Sequence, residues 1–131
     1  MGMVACSFAE SPPESRAVVE KYFEAIRDGH PRDTLELFSA DAFAHTSKDE
    51  FVKLSDRVAA KLGPLKTYTV NVNNVTRFTG INGSGIYTIF VCDVQFAKYK
   101  AIASFRVFQP EGSKKALILD YNINSSGLVL E

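Results

Sequence analysis

The order of hydrophobic and polar positions divides the chain into a helical first half and a sheet-forming second half. In the first half, hydrophobic residues recur at i, i+3, i+4 and i+7, which predicts an amphipathic helix. These residues are Val19, Tyr22, Phe23 and Ile26. We expect Ser11 or Ser15 to cap the start of this helix. Gly29 is placed to end it, because glycine tolerates the left-handed backbone found after a helix.

Two further helices are predicted before residue 65. Pro31 suits the first turn of a short helix whose Leu35 and Phe38 face inward. Ser47 and Glu50 form a capping box, in which the two residues satisfy free backbone donors of a third helix. The hydrophobic stripe of that helix consists of Phe51, Leu54, Val58 and Leu62, and Gly63-Pro64 ends it.

After Pro64 the hydrophobic period changes from helical to alternating, which predicts strands. The predicted strands cover residues 67–73, 86–96, 101–108 and 116–123, with turns around Asn82-Gly83 and at 110–113. Strands joined by short turns pair antiparallel, because parallel pairs need a long crossover. The sequence therefore predicts an α+β fold, with N-terminal helices packed in an antiparallel meander sheet.

The 86–96 strand is hydrophobic on both faces. Alternation puts Phe90, Cys92 and Val94 on one face, and Tyr87, Ile89 and Val91 on the other. The predicted helices can cover only one face of the sheet. The other face needs a second cover, and self-association is the simplest source of one. We therefore predict a homodimer formed through the sheet face.

Composition and charge narrow the class of protein. The 131 residues are 46% hydrophobic and 23% charged, which is typical of a globular domain. We expect a flexible tail over residues 1–14 and a single domain over 15–131. Fifteen basic and fifteen acidic residues balance, so no nucleic-acid partner is expected. No hydrophobic run approaches the ~20 residues of a membrane span.

The two cysteines, Cys6 and Cys92, are too few for a disulfide framework. Cys92 lies in a hydrophobic strand and is expected to be buried. The segment ending at Cys6 resembles the end of a bacterial lipoprotein signal, although the charged and apolar regions of such a signal do not precede it. A cytoplasmic location and an exported one, which needs a signal segment upstream of Cys6, both stay open.

Three segments of the chain resemble the nuclear-transport-factor-2-like (SnoaL-like, cystatin-like) superfamily. They are the helix and glycine break at 18–29, the following 35–42 segment with its acidic residue after Leu-Phe, and the closing strand at 117–123. The resemblance implies a conical domain, in which a curved sheet wraps the helices and leaves a deep pocket. The superfamily includes isomerases, dehydratases, cyclases and transport adaptors, so the resemblance does not decide the chemistry.

The candidate catalytic residues are Asp93, His45 and Tyr121. A carboxylate such as Asp93 inside an apolar pocket would have a raised pKa, which suits acid–base catalysis. The alternation of that strand leaves open whether Asp93 faces the pocket or solvent. Asp120 is expected on solvent or on a dimer face. His45 precedes the third helix, which in this superfamily can border the pocket mouth. No metal site is expected, because His30 and His45 lack the spacing of metal ligands.

The candidate ligand-binding residues are Tyr22, Tyr68, Tyr87 and Arg106. The tyrosines lie on hydrophobic stripes, where rings usually fill the core, but a buried hydroxyl needs a partner. Arg106 could bind an anion or simply reach solvent. The leading hypothesis is a pocket domain without clear catalytic machinery or cofactor, which binds a small apolar or amphipathic ligand. The alternatives are an isomerase, dehydratase or cyclase that uses a pocket carboxylate, and an exported accessory or lipoprotein interaction domain.

Overall fold

The structure is a computed structural model that describes residues 12–44, 46–80 and 83–129. The order of elements confirms the α+β prediction of helices first and an antiparallel meander second. The elements are helix α1 (Pro13–Arg27), two 3-10 helices (Pro31–Leu37 and Ala40–Phe43), helix α2 (Lys48–Leu62), strands β1 (Leu65–Gly80), β2 (Gly83–Phe96), β3 (Lys100–Pro110) and β4 (Leu117–Asn124), and helix α3 (Ser126–Val129). The strands pair in chain order, β1-β2-β3-β4, and every pair is antiparallel.

Helix α1 begins without the predicted serine cap. Pro12 is extended and Pro13 occupies the first turn, where a missing backbone N–H costs nothing. Ser15 lies inside the helix and is buried, and its hydroxyl donates a hydrogen bond to Gln109 Oε1 at 3.4 Å. The prediction that Ser15 caps the helix is therefore wrong, and Ser11 lies outside the described residues. Gly29 follows the helix with φ +79°, as predicted.

Helix α2 has the predicted start and end. The Ser47 hydroxyl accepts a hydrogen bond from the Glu50 backbone N–H at 3.1 Å, which is the serine half of the capping box. Gly63 ends the helix with φ +87°. The predicted short helix before α2 is the 3-10 helix at Pro31–Leu37. Phe38 follows it with an extended backbone, and its side chain is buried.

The hydrophobic core lies between α1 and one face of the sheet, which we call the inner face. From β2 and β3 this face contributes Phe90, Cys92, Val94, Phe96, Ala103, Phe105 and Val107, all buried. The opposite, outer face carries Tyr87, Ile89 and Val91, which are only partly buried. The sequence therefore predicted correctly which residues share a face. Only the structure shows which face packs against α1.

Two strands depart from simple alternation. Strand β1 extends to Gly80, well past the predicted end at residue 73, and has an irregularity between Val72 and Asn74. In β4, Ile118 pairs with Val107 and Asp120 pairs with Arg106, so Leu119 is an extra residue, a β-bulge. Without a bulge, alternation would put Leu117 on the same face as Tyr121. The bulge instead gives Ile118 and Tyr121 a common face.

The connection between β1 and β2 is confined to residues 81 and 82, which lie outside the described residues. Gly83, the second residue of the predicted Asn82-Gly83 turn, is already part of β2. Throughout the described ranges, no helix combines the length and the hydrophobicity needed to cross a membrane.

Candidate functional site

A cavity of about 460 Å³ lies beside the core, between the helices and strand β4. Its walls come from α1, Phe38, the 3-10 helix at Ala40–Phe43, one side of α2, and residues 119–123 of β4. The lining residues are Tyr22, Phe23, Ile26, Phe38, Ala42, Phe43, Thr46, Phe51, Leu54, Ser55, Val58, Ala59, Leu65, Phe96, Leu119, Asp120, Tyr121, Asn122 and Ile123. Most of these side chains are aromatic or aliphatic. Its size falls within the range of roughly 300–1,000 Å³ typical of small-molecule sites.

One wall of the cavity is a cluster of aromatic rings. Phe38 lies edge-on to Phe51, with 5.0 Å between ring centroids, and 5.8 Å from Phe43. Phe51 also approaches Tyr121, at 6.4 Å between centroids. Edge-to-face pairs at these distances are favourable, because the positive edge of one ring meets the negative face of another. These rings therefore pack against one another as well as against the cavity.

Helix α2, which contributes Phe51 to this cluster, forms a further part of the wall and is anchored mainly at its end. Leu62 is its only fully buried residue among those described. Phe51 and Val58 are partly buried and line the cavity. Leu54 also lines it and is 46% exposed, although its place in the stripe suggested a core residue. This wall therefore presents apolar surface to an open space instead of to packed protein.

Two of the lining residues are tyrosines, which carry hydroxyl groups. Tyr22 comes from α1 and Tyr121 from β4, and their ring centroids are 5.1 Å apart. Both rings pack against Phe105, at 5.2 and 5.0 Å. Tyr22 is on the predicted α1 stripe, and the Leu119 bulge brings Tyr121 to the same side of the sheet.

Both hydroxyls are held in the neutral form. Burial raises the pKa of Tyr22 well above its usual value, and the nearby Tyr121 raises it further. Burial also raises the pKa of Tyr121 to about 12, although its contact with Tyr22 acts in the opposite direction. Each hydroxyl can therefore both donate and accept a hydrogen bond at neutral pH.

The remaining polar groups are sparse. Thr46, Ser55 and Asn122 border the cavity. Asp120 also borders it, but the side chain of Asp120 is exposed and accepts a hydrogen bond from Arg106 Nε at 2.8 Å. Across the described part of the lining, no lysine, arginine or histidine is present. The cavity offers neutral hydroxyls without an inward-facing ion pair.

The predicted site residues that the structure describes lie in three places. Tyr22 and Tyr121 line the cavity together. Tyr68 is outside its lining but stacks on Phe23, with ring centroids 4.5 Å apart. The Tyr68 hydroxyl donates to Glu24 Oε2 at 2.5 Å, and burial together with this bond raises its pKa to about 12. Tyr68 thus packs against a lining residue, Phe23, but does not itself line the cavity.

Three other predicted residues lie on the outer face of the sheet and do not line the cavity. Asp93 is exposed there, where its Oδ2 accepts a hydrogen bond from Asn71 Nδ2 at 3.3 Å. Tyr87 packs on Phe108, and the Arg106 guanidinium lies 5.9 Å from the Tyr87 ring centroid. All three have the parity of the outer face, because Phe90 and Phe105 take the inner one. His45 lies outside the described residues, next to Thr46.

Several cavity residues were not singled out from the sequence. Phe43 follows the acidic residue of the 35–42 segment, and Leu54 and Val58 read as ordinary core positions of a helical stripe. Periodicity reports which side of a helix is hydrophobic, but not whether that side meets protein or an empty space. The sequence therefore carried no signal that separates these positions from core.

No protein family model matches this chain, and no curated protein matches it. Solved structures do resemble it. A protein from Catenulispora acidiphila has a TM-score of 0.51 and 9% sequence identity, with 97% of this chain and 96% of that chain covered.

Two other structures resemble the chain at lower TM-scores. A candidate scytalone dehydratase from Novosphingobium aromaticivorans has a TM-score of 0.48 and 11% identity, covering 86% of this chain and 81% of that chain. The β subunit of a benzoate 1,2-dioxygenase from Burkholderia mallei has a TM-score of 0.44 and 10% identity, covering 88% and 91%.

These likenesses concern the fold. Helices α1 and α2 precede a four-stranded antiparallel sheet, α1 packs on the inner face of that sheet, and the cavity opens beside it. Nearly the whole chain aligns with the Catenulispora structure. The chain shares its α+β fold with the Catenulispora structure, and helices followed by an antiparallel sheet is the arrangement that the sequence pattern predicts.

Proposed function

We propose that this protein binds a small, mainly apolar molecule in the cavity between α1, α2 and β4. The observation that carries this proposal is that apolar side chains of the cavity wall face open space instead of other protein side chains. Leu54 is 46% exposed, and it lies in the wall of a cavity of about 460 Å³ next to Phe51 and Val58. A ligand that covered these side chains would gain about 25 cal/mol for each Å² of apolar surface buried.

The enzymatic alternative needs a carboxylate inside the cavity, and the described lining does not supply one. Asp93 lies on the outer face, and the Asp120 carboxylate is paired with Arg106. An isomerase, dehydratase or cyclase activity thus gains no support from these acids. The exported or lipoprotein alternative depends on Cys6, which lies outside the described residues.

Thermal denaturation with a panel of neutral aromatic compounds tests the proposal. A bound ligand stabilises the folded state by about 1.4 kcal/mol when its free concentration is ten times its Kd. A rise of several degrees in melting temperature is therefore expected for at least one compound. A panel that leaves the melting temperature unchanged at every concentration contradicts the proposal.

A matched pair of substitutions locates the binding. Ala59 and Ala60 are adjacent on α2, but only Ala59 lines the cavity. Ala59→Phe should fill part of the space and weaken binding at least tenfold, while Ala60→Phe should leave it unchanged. Equal effects of the two substitutions would place the ligand elsewhere.

We also infer that the outer face of the sheet mediates self-association. Ile102 is 51% exposed near the start of β3, and Phe78 is 47% exposed on β1. Tyr87 and Phe108 form an aromatic pair on the same surface, with ring centroids 4.6 Å apart. Exposed apolar patches of this kind favour burial against a partner, and a second copy of the chain supplies a self-complementary one.

A further inference from the structure

We infer that the ligand of this cavity is an uncharged aromatic molecule with one hydrogen-bonding group, which points at the hydroxyls of Tyr22 and Tyr121. The inference rests on the proposed ligand-binding function and narrows it to a chemical class. It follows from where the polar groups of the cavity lie and from their charge.

The two tyrosines bring hydroxyl groups to a lining that is otherwise mostly apolar. Tyr22 and Tyr121 are held by Phe105 on one side, and Phe38 and Phe51 flank them in the cavity wall. A planar ring can contact these aromatic side chains by edge-to-face or offset packing. Its polar substituent would then have the two tyrosine hydroxyls as partners beside the aromatic cluster, whereas the other lining hydroxyls, those of Thr46 and Ser55, come from just before the start and from the interior of α2.

The hydrogen-bonding capacity of the pair fits one group. Two phenol hydroxyls carry two donor hydrogens, and a hydrogen bond between them uses one. One donor hydrogen and the remaining oxygen lone pairs stay available for a ligand. A carbonyl can accept from this pair, and a hydroxyl can both accept and donate. A ligand with no polar group would leave the buried hydroxyls short of a partner, at a cost in affinity.

The charge of the lining selects against ions. The described lining residues include no cationic side chain, and the one acid, Asp120, is paired with Arg106 on the outer face. A carboxylate or ammonium that left water for this cavity would lose its hydration without gaining an opposite charge. A neutral ligand avoids that penalty.

Lys48 allows a different arrangement, in which the ligand is an anion. Its ammonium group lies 5.7 Å from the centroid of the Phe43 ring, although Lys48 does not itself line the cavity. An anionic amphiphile could place its head group near Lys48 and its ring against Phe43. The two arrangements predict opposite charge preferences, so they can be separated by experiment.

The test uses three compounds with the same bicyclic ring: naphthalene, 2-naphthol and 2-naphthoate, each titrated calorimetrically near neutral pH. We expect 2-naphthol to bind at least tenfold more tightly than 2-naphthoate, and more tightly than naphthalene. Tyr121→Phe should weaken 2-naphthol binding about 3- to 10-fold, as expected for one neutral hydrogen bond, and should not weaken naphthalene binding.

Controls separate a hydroxyl effect from a structural one. Tyr87→Phe removes a hydroxyl from the outer face and should change none of the three affinities. Tyr22→Phe gives a second measurement if Tyr121→Phe lowers the melting temperature too far for titration. The three-ligand comparison on the unmodified protein does not depend on any variant.

Each outcome has one meaning. Tighter binding of 2-naphthoate, lost in Lys48→Ala, overturns the inference in favour of an anionic amphiphile while leaving the proposed pocket function in place. Equal binding of naphthalene and 2-naphthol, unaffected by Tyr121→Phe, overturns the role of the hydroxyls only. If none of the three compounds binds, and the neutral panel gives no thermal shift, both proposals fail together.

Discussion

Two buried threonines differ in one respect that should show in their contributions to stability. Thr34 and Thr88 are both 0% exposed. The Thr34 hydroxyl donates to the Pro31 carbonyl oxygen at 2.6 Å, whereas the Thr88 hydroxyl has no partner within the described part of the chain. A buried polar group without a partner costs free energy that an apolar group of the same shape does not.

Substitution by valine keeps the shape of each side chain and removes the hydroxyl. Thr88→Val should raise the free energy of unfolding by about 1 kcal/mol, and Thr34→Val should lower it by a similar amount. Urea denaturation followed by circular dichroism measures both. A destabilising Thr88→Val would mean that this hydroxyl has a partner after all.

The tyrosine pair gives the folded state a characteristic response to alkaline pH. The folded pKa of Tyr121 is about 12, above its usual value, because the side chain is buried. Its stabilising contribution is therefore complete below the unfolded pKa of roughly 10 and is lost as the pH rises through 12. Above pH 10, stability should fall by up to about 1.4 kcal/mol per pH unit for each such tyrosine.

Tyr121→Phe should flatten this decline between pH 10 and 12, because phenylalanine has no proton to lose. Urea midpoints measured across that interval provide the readout, with Tyr87→Phe as the control on the outer face. An unchanged slope in Tyr121→Phe would show that the hydroxyl titrates in the folded state as it does in the unfolded chain.

At this scale the sequence identified some cavity residues and could not place others. The inward position of Tyr22 could be predicted, because its stripe on α1 has one clear hydrophobic side. The position of Asp93 could not be predicted, because the 86–96 strand is hydrophobic on both faces. The alternation of its side chains does not say which face α1 covers. Arg106 and Tyr87 share that uncertainty. For these three residues the packing of the helix decides, and alternation alone cannot report it.

At the scale of elements, the start of α2 depends on a single side chain. The Ser47 hydroxyl accepts a hydrogen bond from the Glu50 backbone N–H. This N–H lies in the first turn, where no carbonyl of the helix is in position to accept from it. Ser47→Ala should lower the free energy of unfolding by about 1 kcal/mol, measured by urea denaturation.

The comparison variant is Ser55→Ala, in the interior of the same helix, where alanine has the higher helix propensity. It should be neutral or slightly stabilising. A loss of similar size in both variants would indicate that hydroxyl removal itself, and not the cap, matters.

Helix α2 should also report ligand binding. Leu62 anchors its end, while Phe51, Leu54 and Val58 face the cavity. Segments with few buried contacts open locally at low free energy, so their amides exchange readily with deuterium. A ligand that fills the cavity should slow exchange across α2 more than across β2, whose inner face is already packed. Uniform protection of both elements would argue against α2 as the binding wall.

The elements themselves were largely predictable, and their exceptions have local causes. The capping box and Gly63 fixed the limits of α2, and the change of period after Pro64 located the sheet. The start of α1 was missed because Pro13 can begin a helix without a side-chain cap. The long β1 was missed because its second half is exposed and polar, so alternation there is weak.

For the molecule as a whole, the outer face of the sheet and the cavity are separate surfaces that can be altered independently. Ile102→Lys places a charge on the outer face, opposite Asp93 in the neighbouring strand. If self-association uses that face, this variant should be monomeric at concentrations where the unmodified protein is dimeric. Sedimentation velocity over a range of concentrations measures the change.

Leu54→Lys is the matched control, since Leu54 is exposed to a similar extent but lines the cavity. It should leave the oligomeric state unchanged and alter ligand binding, while Ile102→Lys should do the reverse. If both variants dissociate the dimer, the two surfaces are coupled. If the unmodified protein is monomeric throughout, the self-association proposal is wrong.

The extra residue in β4 has a consequence for the comparison of this chain with its evolutionary relatives. With Leu119 bulged out, Tyr121 and Ile123 point inward and Asp120 and Asn122 point outward. A relative whose β4 lacks the bulge needs one residue fewer to present the same inward side chains. An alignment without a gap at that point would match inward residues of one protein with outward residues of the other. Such an alignment would treat Asp120, whose carboxylate is paired with Arg106, as an inward-facing acid, so correct gap placement in β4 precedes any transfer of catalytic roles.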